Sequence, residues 1–363
     1  MIDLATQAPG RWRQYFAWLL LGAALTSHAE SEEASADATL VPSQSTEAKR
    51  AASSLLLDVT WAGTSLIAVG QWGNVLRSKD GHHWQQPLVP TTATLTRVRF
   101  FDAQHGWAIG YDGTVLASID GGQSWRLEHF DAAWGKPYFD VRFLDLDNGF
   151  LAGANGVLMR TADGGKTWDT ITSPALADSP NLYNLLPLGD GCLLLVGERG
   201  FLALSSDHGG TWTQLKSPYS GSYFGAAAVG GTGALVFGLR GNAFYTANVR
   251  KLPALSPKEL DAQHTATDGV ADTNQSSSPV RDVAGWIHLK NDDDEPLFGS
   301  AAGADGSVYL VGQNGDVKLF RSSVPALMPI DVSPHVNMNA AALDGSTLIT
   351  VGTSGLVALA LPK

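Results

Sequence analysis

The stretch "VGERGFLALSSDHGGTW", residues 196–212, reads as a hairpin followed by a polar corner. Gly197 and Gly200 bracket two residues between the apolar runs "LLLV" and "FLAL". That is the pattern of a tight turn whose positive φ glycine supplies. Ser205 and Asp207 then open a corner that ends in Trp212. A Ser hydroxyl and an Asp carboxylate can accept backbone N–H bonds that a tight turn leaves open, while glycine takes the strained position. The tryptophan is expected to bury its ring between neighbouring sheets.

Both signals recur along the chain. Glycine pairs stand at Gly70/Gly73, Gly110/Gly113, Gly153/Gly156, Gly197/Gly200, Gly238/Gly241, Gly312/Gly315 and Gly352/Gly355. Successive first glycines are 40, 43, 44, 41, 74 and 40 residues apart. The corner recurs as "SIDGGQSW" (118–125) and "TADGGKTW" (161–168), with a shorter form, "SKDGHHW", ending at Trp84. Four short strands per unit of roughly 40 residues is the size of a propeller blade. The sequence thus predicts an all-β, seven-bladed β-propeller of four-stranded antiparallel blades. Small residues at the start of later units (Gly225 to Ala228, Ser300 to Ala302, Ala340 to Ala342) suit inner strands crowded around an axis.

The last unit stops after three strands. "ATLVPS", residues 38–43, is expected to complete it, with Leu40 and Val41 pairing near Leu356 to Leu361, which closes the ring and removes exposed edges. The long interval belongs to the fifth unit, where a polar segment at about 250–284 replaces the Asp-Gly corner. Its composition predicts a flexible insertion, with a short helix over "SPKELDAQ". Trp286 then stands where Trp212 stands one unit earlier.

Residues 1–29 have the order of a cleavable export signal: Arg11 and Arg13, an apolar run from Tyr15 to Leu25, then Ser27-His28-Ala29. Cleavage after Ala29 leaves a polar segment, 30–37, and a propeller over 38–363. The expected location is therefore outside the cytoplasm, in the periplasm, with the protein peripheral to a membrane at most and monomeric.

A net charge of −11, with 24 Lys and Arg among 363 residues, argues against a nucleic-acid partner. The one cysteine, Cys192, lies in the apolar run "GCLLLVG" and is expected in the core. His82 and His83 are adjacent and the other histidines scattered, so no metal site is predicted, and no cofactor. Asp residues spaced around a ring do not converge, so no catalytic residue is assigned.

The corner pattern resembles the Asp box of bacterial neuraminidase repeats. The whole unit resembles the photosystem II stability/assembly factor family, most clearly in the stretch quoted first. That resemblance implies a seven-bladed, non-enzymatic assembly chaperone that binds a membrane protein subunit. It also implies a basic patch with arginines in "GxRG" turns, which here are Arg199 and Arg240. The alternative, a carbohydrate-active propeller, meets two obstacles: the F/Y-R-I-P motif of sialidases is absent, and the glycine pairs count seven where that family has six blades.

A protein partner is therefore expected on the face bearing the G-x-x-G turns. Trp72, Tyr111, Arg199 and Arg240 are interface-type residues in those turns. Tyr219, Tyr223 and Phe224 add aromatic groups from a blade connection. Arg99 and Arg142, at equivalent places on two inner strands, extend the patch toward the axis.

Overall fold

The computed structural model describes residues 42–266, 280–289, 291 and 293–362. These form seven antiparallel sheets in chain order, six of four strands and a last one of three. The inner strands are Leu56–Ala62, Leu95–Phe100, Tyr138–Phe143, Leu182–Pro187, Tyr223–Val229, Leu297–Ala302 and Met338–Asp344, numbered here as blades 1 to 7. Each blade runs outward as a meander, as the glycine spacing predicts.

Seven apolar clusters hold the blades, each shared between neighbours. Val69, Val75 and Leu76 face blade 2 or 7, for example, and Leu195, Ala203 and Trp212 of blade 4 pack on Phe150 and Leu158 of blade 3. The seventh cluster joins the ends of the chain: Leu56 and Val59 pack with Ala340, Ala342, Ile349 and Val351. Two hydrogen bonds cross the same seam, from Trp61 Nε1 to the Leu343 carbonyl (3.1 Å) and from Asn339 Nδ2 to the Leu56 carbonyl (2.9 Å). The ring is closed. The expected closing strand at Leu40 and Val41 lies outside the described residues, as do the export signal and the 30–37 segment.

The two glycines of a pair are required for different reasons. A Cβ on Gly197 would strike the carbonyl oxygen of Asn181, because the end of strand two passes close to the entry of strand one. Gly200 has φ +75° and abuts the carbonyl of Tyr219 in the connection to the next blade. The same contact recurs between Gly73 and Thr91, and between Gly156 and Ser179. The G-x-x-G turns and the blade connections thus share one face.

The described limbs of the insertion, up to Ala266 and from Val280, are tied to blade 4. Its first limb pairs with the outer edge of blade 4, where Leu215 and Ala254 form an antiparallel bridge and Lys216 N donates to the Pro253 carbonyl (2.8 Å). A helix follows over Pro257–Ala266, in agreement with the sequence reading. Glu259 accepts from Ser256 at its start and binds Lys216 Nζ at 2.8 Å. The returning limb is anchored too, by Arg281 N on the Pro218 carbonyl (2.7 Å).

Candidate functional site

The G-x-x-G turns have one shared backbone device. The residue before the second glycine is left-handed in six blades: Trp72 (φ 61°), Asp112 (53°), Asn155 (54°), Arg199 (54°), Arg240 (56°) and Asn314 (54°). Asp and Asn tolerate this region because their short polar side chains bond locally. Asn155, for one, sits beside Asn181, whose Oδ1 accepts its N–H at 3.0 Å. Three blades instead place long side chains there, those of Trp72, Arg199 and Arg240. Trp72 is 70% exposed, the most exposed large apolar side chain among the described residues. Arg199 is exposed, while Tyr111 and Arg240 are half-buried.

Arg199 borders a groove of about 460 Å³ between blade 4 and the insertion, lined also by Lys216, Tyr219, Glu259 and Arg281. Among the described residues Arg199 enters no ion pair, its neighbour Glu198 included. This juxtaposition of a turn arginine with a returning insertion has no signal in the local sequence.

Tyr219 and Tyr223 require a correction to the expected surface. They are 2% and 0% exposed, and with Phe244 they form an aromatic cluster in the core between blades 4 and 5. Tyr219 donates its hydroxyl to the Leu239 carbonyl (3.0 Å), and burial pushes the Tyr223 hydroxyl far above its ordinary range. Gly221 and Ser222 let the connection dip inward, so these rings pack blades and offer no contact surface.

Phe224 leads to a feature that the repeat alignment contains and the motif reading missed. Every inner strand carries a β-bulge at one equivalent residue: Leu57, Thr96, Phe139, Tyr183, Phe224, Phe298 and Asn339. A bulge re-aims its side chain. Four consecutive bulges are aromatic, and their rings touch in series: Phe139 to Tyr183 (5.1 Å), Tyr183 to Phe224 (5.6 Å) and Phe224 to Phe298 (5.4 Å). They form an arc beside the axis, on the side of the G-x-x-G turns.

One residue further along the inner strands lies a polar layer. Asp58 and Asp140 are buried, and Arg97, Arg99 and Arg142 gather around them. Arg99 Nη1 reaches Asp58 Oδ2 at 2.6 Å, and Arg97 Nε donates to the Phe139 carbonyl at 2.8 Å. Asp140 Oδ2 accepts from Asn184 Nδ2 and Leu185 N, both at 2.9 Å. Burial alone would raise the Asp140 carboxyl, but the fields of Arg142, Arg99 and Arg97 outweigh it and hold the group below the usual range. Burial pushes the Arg142 guanidinium down to about 10, so it stays charged at neutral pH. Arg99 and Arg142 thus line the axis, as the sequence reading placed them, inside an ion network that joins blades 1 to 4.

The Asp-Gly corners are on the opposite face, and their carboxylates are occupied by their own turns. Asp120 accepts from Ser118 Oγ (2.9 Å), Ser124 N (2.9 Å) and Ser124 Oγ (2.6 Å). Asp207 accepts from Thr211 N and Oγ1 and from Ser205 Oγ, and these bonds hold it down to about 2. Two corners also fasten the preceding blade: Arg77 Nε binds the Gly121 carbonyl and Trp107 Nε1 the Gly164 carbonyl, both at 3.0 Å. Trp125, Trp212 and Trp286 are buried between sheets.

A pH dependence follows from Asp207. Its folded-state pKa is lower than the unfolded value, so its contribution to stability is complete above about pH 4 and is lost as pH falls toward 2. Asp207→Asn should melt lower than the parent at about pH 6, and the gap should close by about pH 2 in thermal denaturation. A gap that stays constant to the acid limit would refute the assignment.

The acidic run Asp293 to Glu295 is held by neighbouring side chains. Asp293 binds the buried Lys318 Nζ at 2.6 Å, and Asp316 binds it at 2.8 Å. Glu295 accepts from Asn314 Nδ2. Among the described residues no group of three or more His, Cys, Asp or Glu side chains is placed to hold a metal ion, and no helix is long and apolar enough to cross a membrane.

Fold and site together define a closed seven-bladed propeller with Asp-Gly corners on one face and a ring of paired-glycine turns on the other. Residues 76–137 and 128–252 match the family described as photosynthesis system II assembly factor YCF48, and over that region the chain is similar to its members. Photosystem II assembly protein Ycf48 of Thermosynechococcus vestitus is 39% identical over 57 residues, a match spanning 14% of this chain and 16% of that protein. The solved structure "YCF48 bound to D1 peptide" aligns over 89% of this chain and all of its own, with TM-score 0.58 and 16% identity. YCF48 from Cyanidioschyzon merolae aligns over 85% of this chain and 96% of its own, with TM-score 0.60 and 15% identity. The WD40 propeller of Doa1 reaches TM-score 0.60 at 10% identity, so these structural likenesses carry the fold alone.

Proposed function

We propose that this protein is an exported, non-enzymatic assembly factor that grips a segment of a membrane or envelope protein on its G-x-x-G face. The observation that carries the reading is the left-handed placement of Trp72, Arg199 and Arg240. Backbone strain of this kind costs about 1–2 kcal/mol per residue and is concentrated at functional sites. Three blades use Asp or Asn at the same position and avoid that cost. Retaining large interface-type side chains there makes sense where the side chain itself has work at the surface. The similarity to the assembly-factor family, one of whose structures contains a bound peptide, supports the same class of partner.

An exposed Arg199 and a half-buried Arg240 on one face of a chain of net charge −11 favour an acidic or carboxylate-bearing segment, through charge-assisted hydrogen bonds. Release after Ala29 would deliver the propeller to the compartment where such a segment is presented. The test is crosslinking and pull-down from intact cells with Arg199→Glu combined with Arg240→Glu. Partner capture should be lost while the circular dichroism spectrum and melting profile stay close to the parent. Undiminished capture by the double variant refutes the surface.

A further inference from the structure

The inner strands enclose an axial cavity of about 330 Å³ with two unlike walls. On one side stand Arg99, Arg142 and Asn184; on the other are Phe224, Ser300 and Ala341, in an arc where glycine and alanine replace long side chains. The small residues of blades 5 to 7, read from sequence as relief of crowding, do more than that: they leave a void.

The polar wall is incompletely satisfied. Three guanidinium groups, Arg97, Arg99 and Arg142, face two carboxylates, Asp58 and Asp140, which leaves one positive charge in excess. Arg142 donates Nε to the Leu185 carbonyl, and among the described residues its terminal nitrogens have no hydrogen-bonded acceptor. Arg99 Nε faces Asp140 Oδ1 at 3.6 Å. The Arg142 side chain is a quarter exposed and borders the cavity. A guanidinium that borders a cavity with free terminal nitrogens is a ready seat for an anionic group.

We propose that the axial cavity binds a compact monocarboxylate with an apolar body. The carboxylate offsets the excess charge at Arg99 and Arg142, where charge-assisted bonds are strongest. The apolar body lies against Phe224 and the alanine arc. A cavity of about 150 Å³ holds benzene, so about 330 Å³ suits roughly a dozen non-hydrogen atoms. Such pockets, mostly apolar with a few placed polar groups, are typical small-molecule sites.

The ligand class is set by the cavity and is independent of the partner face. Mandelate, a hydroxycarboxylate of about eleven non-hydrogen atoms, is a suitable probe for calorimetric titration of the intact protein. It should bind with one-to-one stoichiometry. Mandelamide, which lacks the charge, should bind at least about tenfold more weakly. Arg142→Gln and Ser300→Phe should each abolish mandelate binding. The second fills the void and leaves every charge in place, so it decides the matter even if Arg142→Gln fails to fold. No binding at millimolar mandelate, equal binding of mandelamide, or undiminished affinity in Ser300→Phe would overturn the proposal.

Discussion

Asp140→Ala should lower stability by about 3–5 kcal/mol, the range for removing one member of a buried ion network. Asp140 is fully buried on the inner strand of blade 3 and is within 3.6 Å of Arg97, Arg99 and Arg142. It also accepts from Asn184 and from the Leu185 backbone, so its loss frees two more donors. The variant leaves three guanidinium groups facing Asp58 alone. Asp140→Asn should cost less, because an amide oxygen still accepts from Leu185 N while the charge is gone. Urea denaturation at neutral pH measures both. A cost below about 1 kcal/mol for the alanine variant would mean the arginines find other partners. The sign with pH is also fixed: a carboxyl held low in the folded state stabilises above its unfolded pKa and stops doing so as pH falls through its folded value.

The second large effect has opposite signs in two measurements. Arg199→Asn together with Arg240→Asn should raise stability by about 1–2 kcal/mol in total, because asparagine relieves left-handed strain as it does at Asn155 and Asn314. The same protein should lose at least about tenfold in partner capture, as two guanidinium groups leave the face. A gain in stability without loss of capture would separate the arginines from binding. A loss in both would show that these side chains hold the fold. General unfolding lowers both readings together, so it cannot mimic the expected rise in stability with loss of capture.

Architecture was legible in the sequence because its determinants are local. A glycine pair such as Gly197/Gly200 is demanded by contacts within its own blade and with the connection that follows, so it repeats with the blade. The Asp-Gly corners are closed by atoms within four residues of one another, as at Asp120 and Ser124. The axial network is different. Asp58 meets Arg99, and Asp140 meets Asn184, across a blade boundary and more than 40 residues apart in sequence. Each is an isolated polar residue in a strand-like run until the ring brings neighbours together. Arg99 and Arg142 were found by their equivalent positions, whereas Arg97, Asp58 and Asp140 were not.

Tyr219 and Tyr223 show the converse limit. Aromatic residues in a connection look like contact residues, and only the inward dip of that connection, toward Phe244 and Val236, decides otherwise. In the described limbs of the insertion, polar composition conceals backbone pairing next to blade 4, which depends on main-chain groups common to all residues.

That pairing gives the chain a double mooring. Leu255 N is bonded to Gln214 O on the outgoing side, and Arg281 N to Pro218 O on the return. Severing the peptide between these points would leave both stumps tied to the same neighbouring sheet, and blade 5 would keep its outer strand, Ile287–Leu289, in register with Ala243–Thr246. The wheel should tolerate a break there, because both flanking limbs are held by their own hydrogen bonds. This makes the segment the natural seat for a spliced-in reporter, or for dividing the molecule into two halves that reassemble.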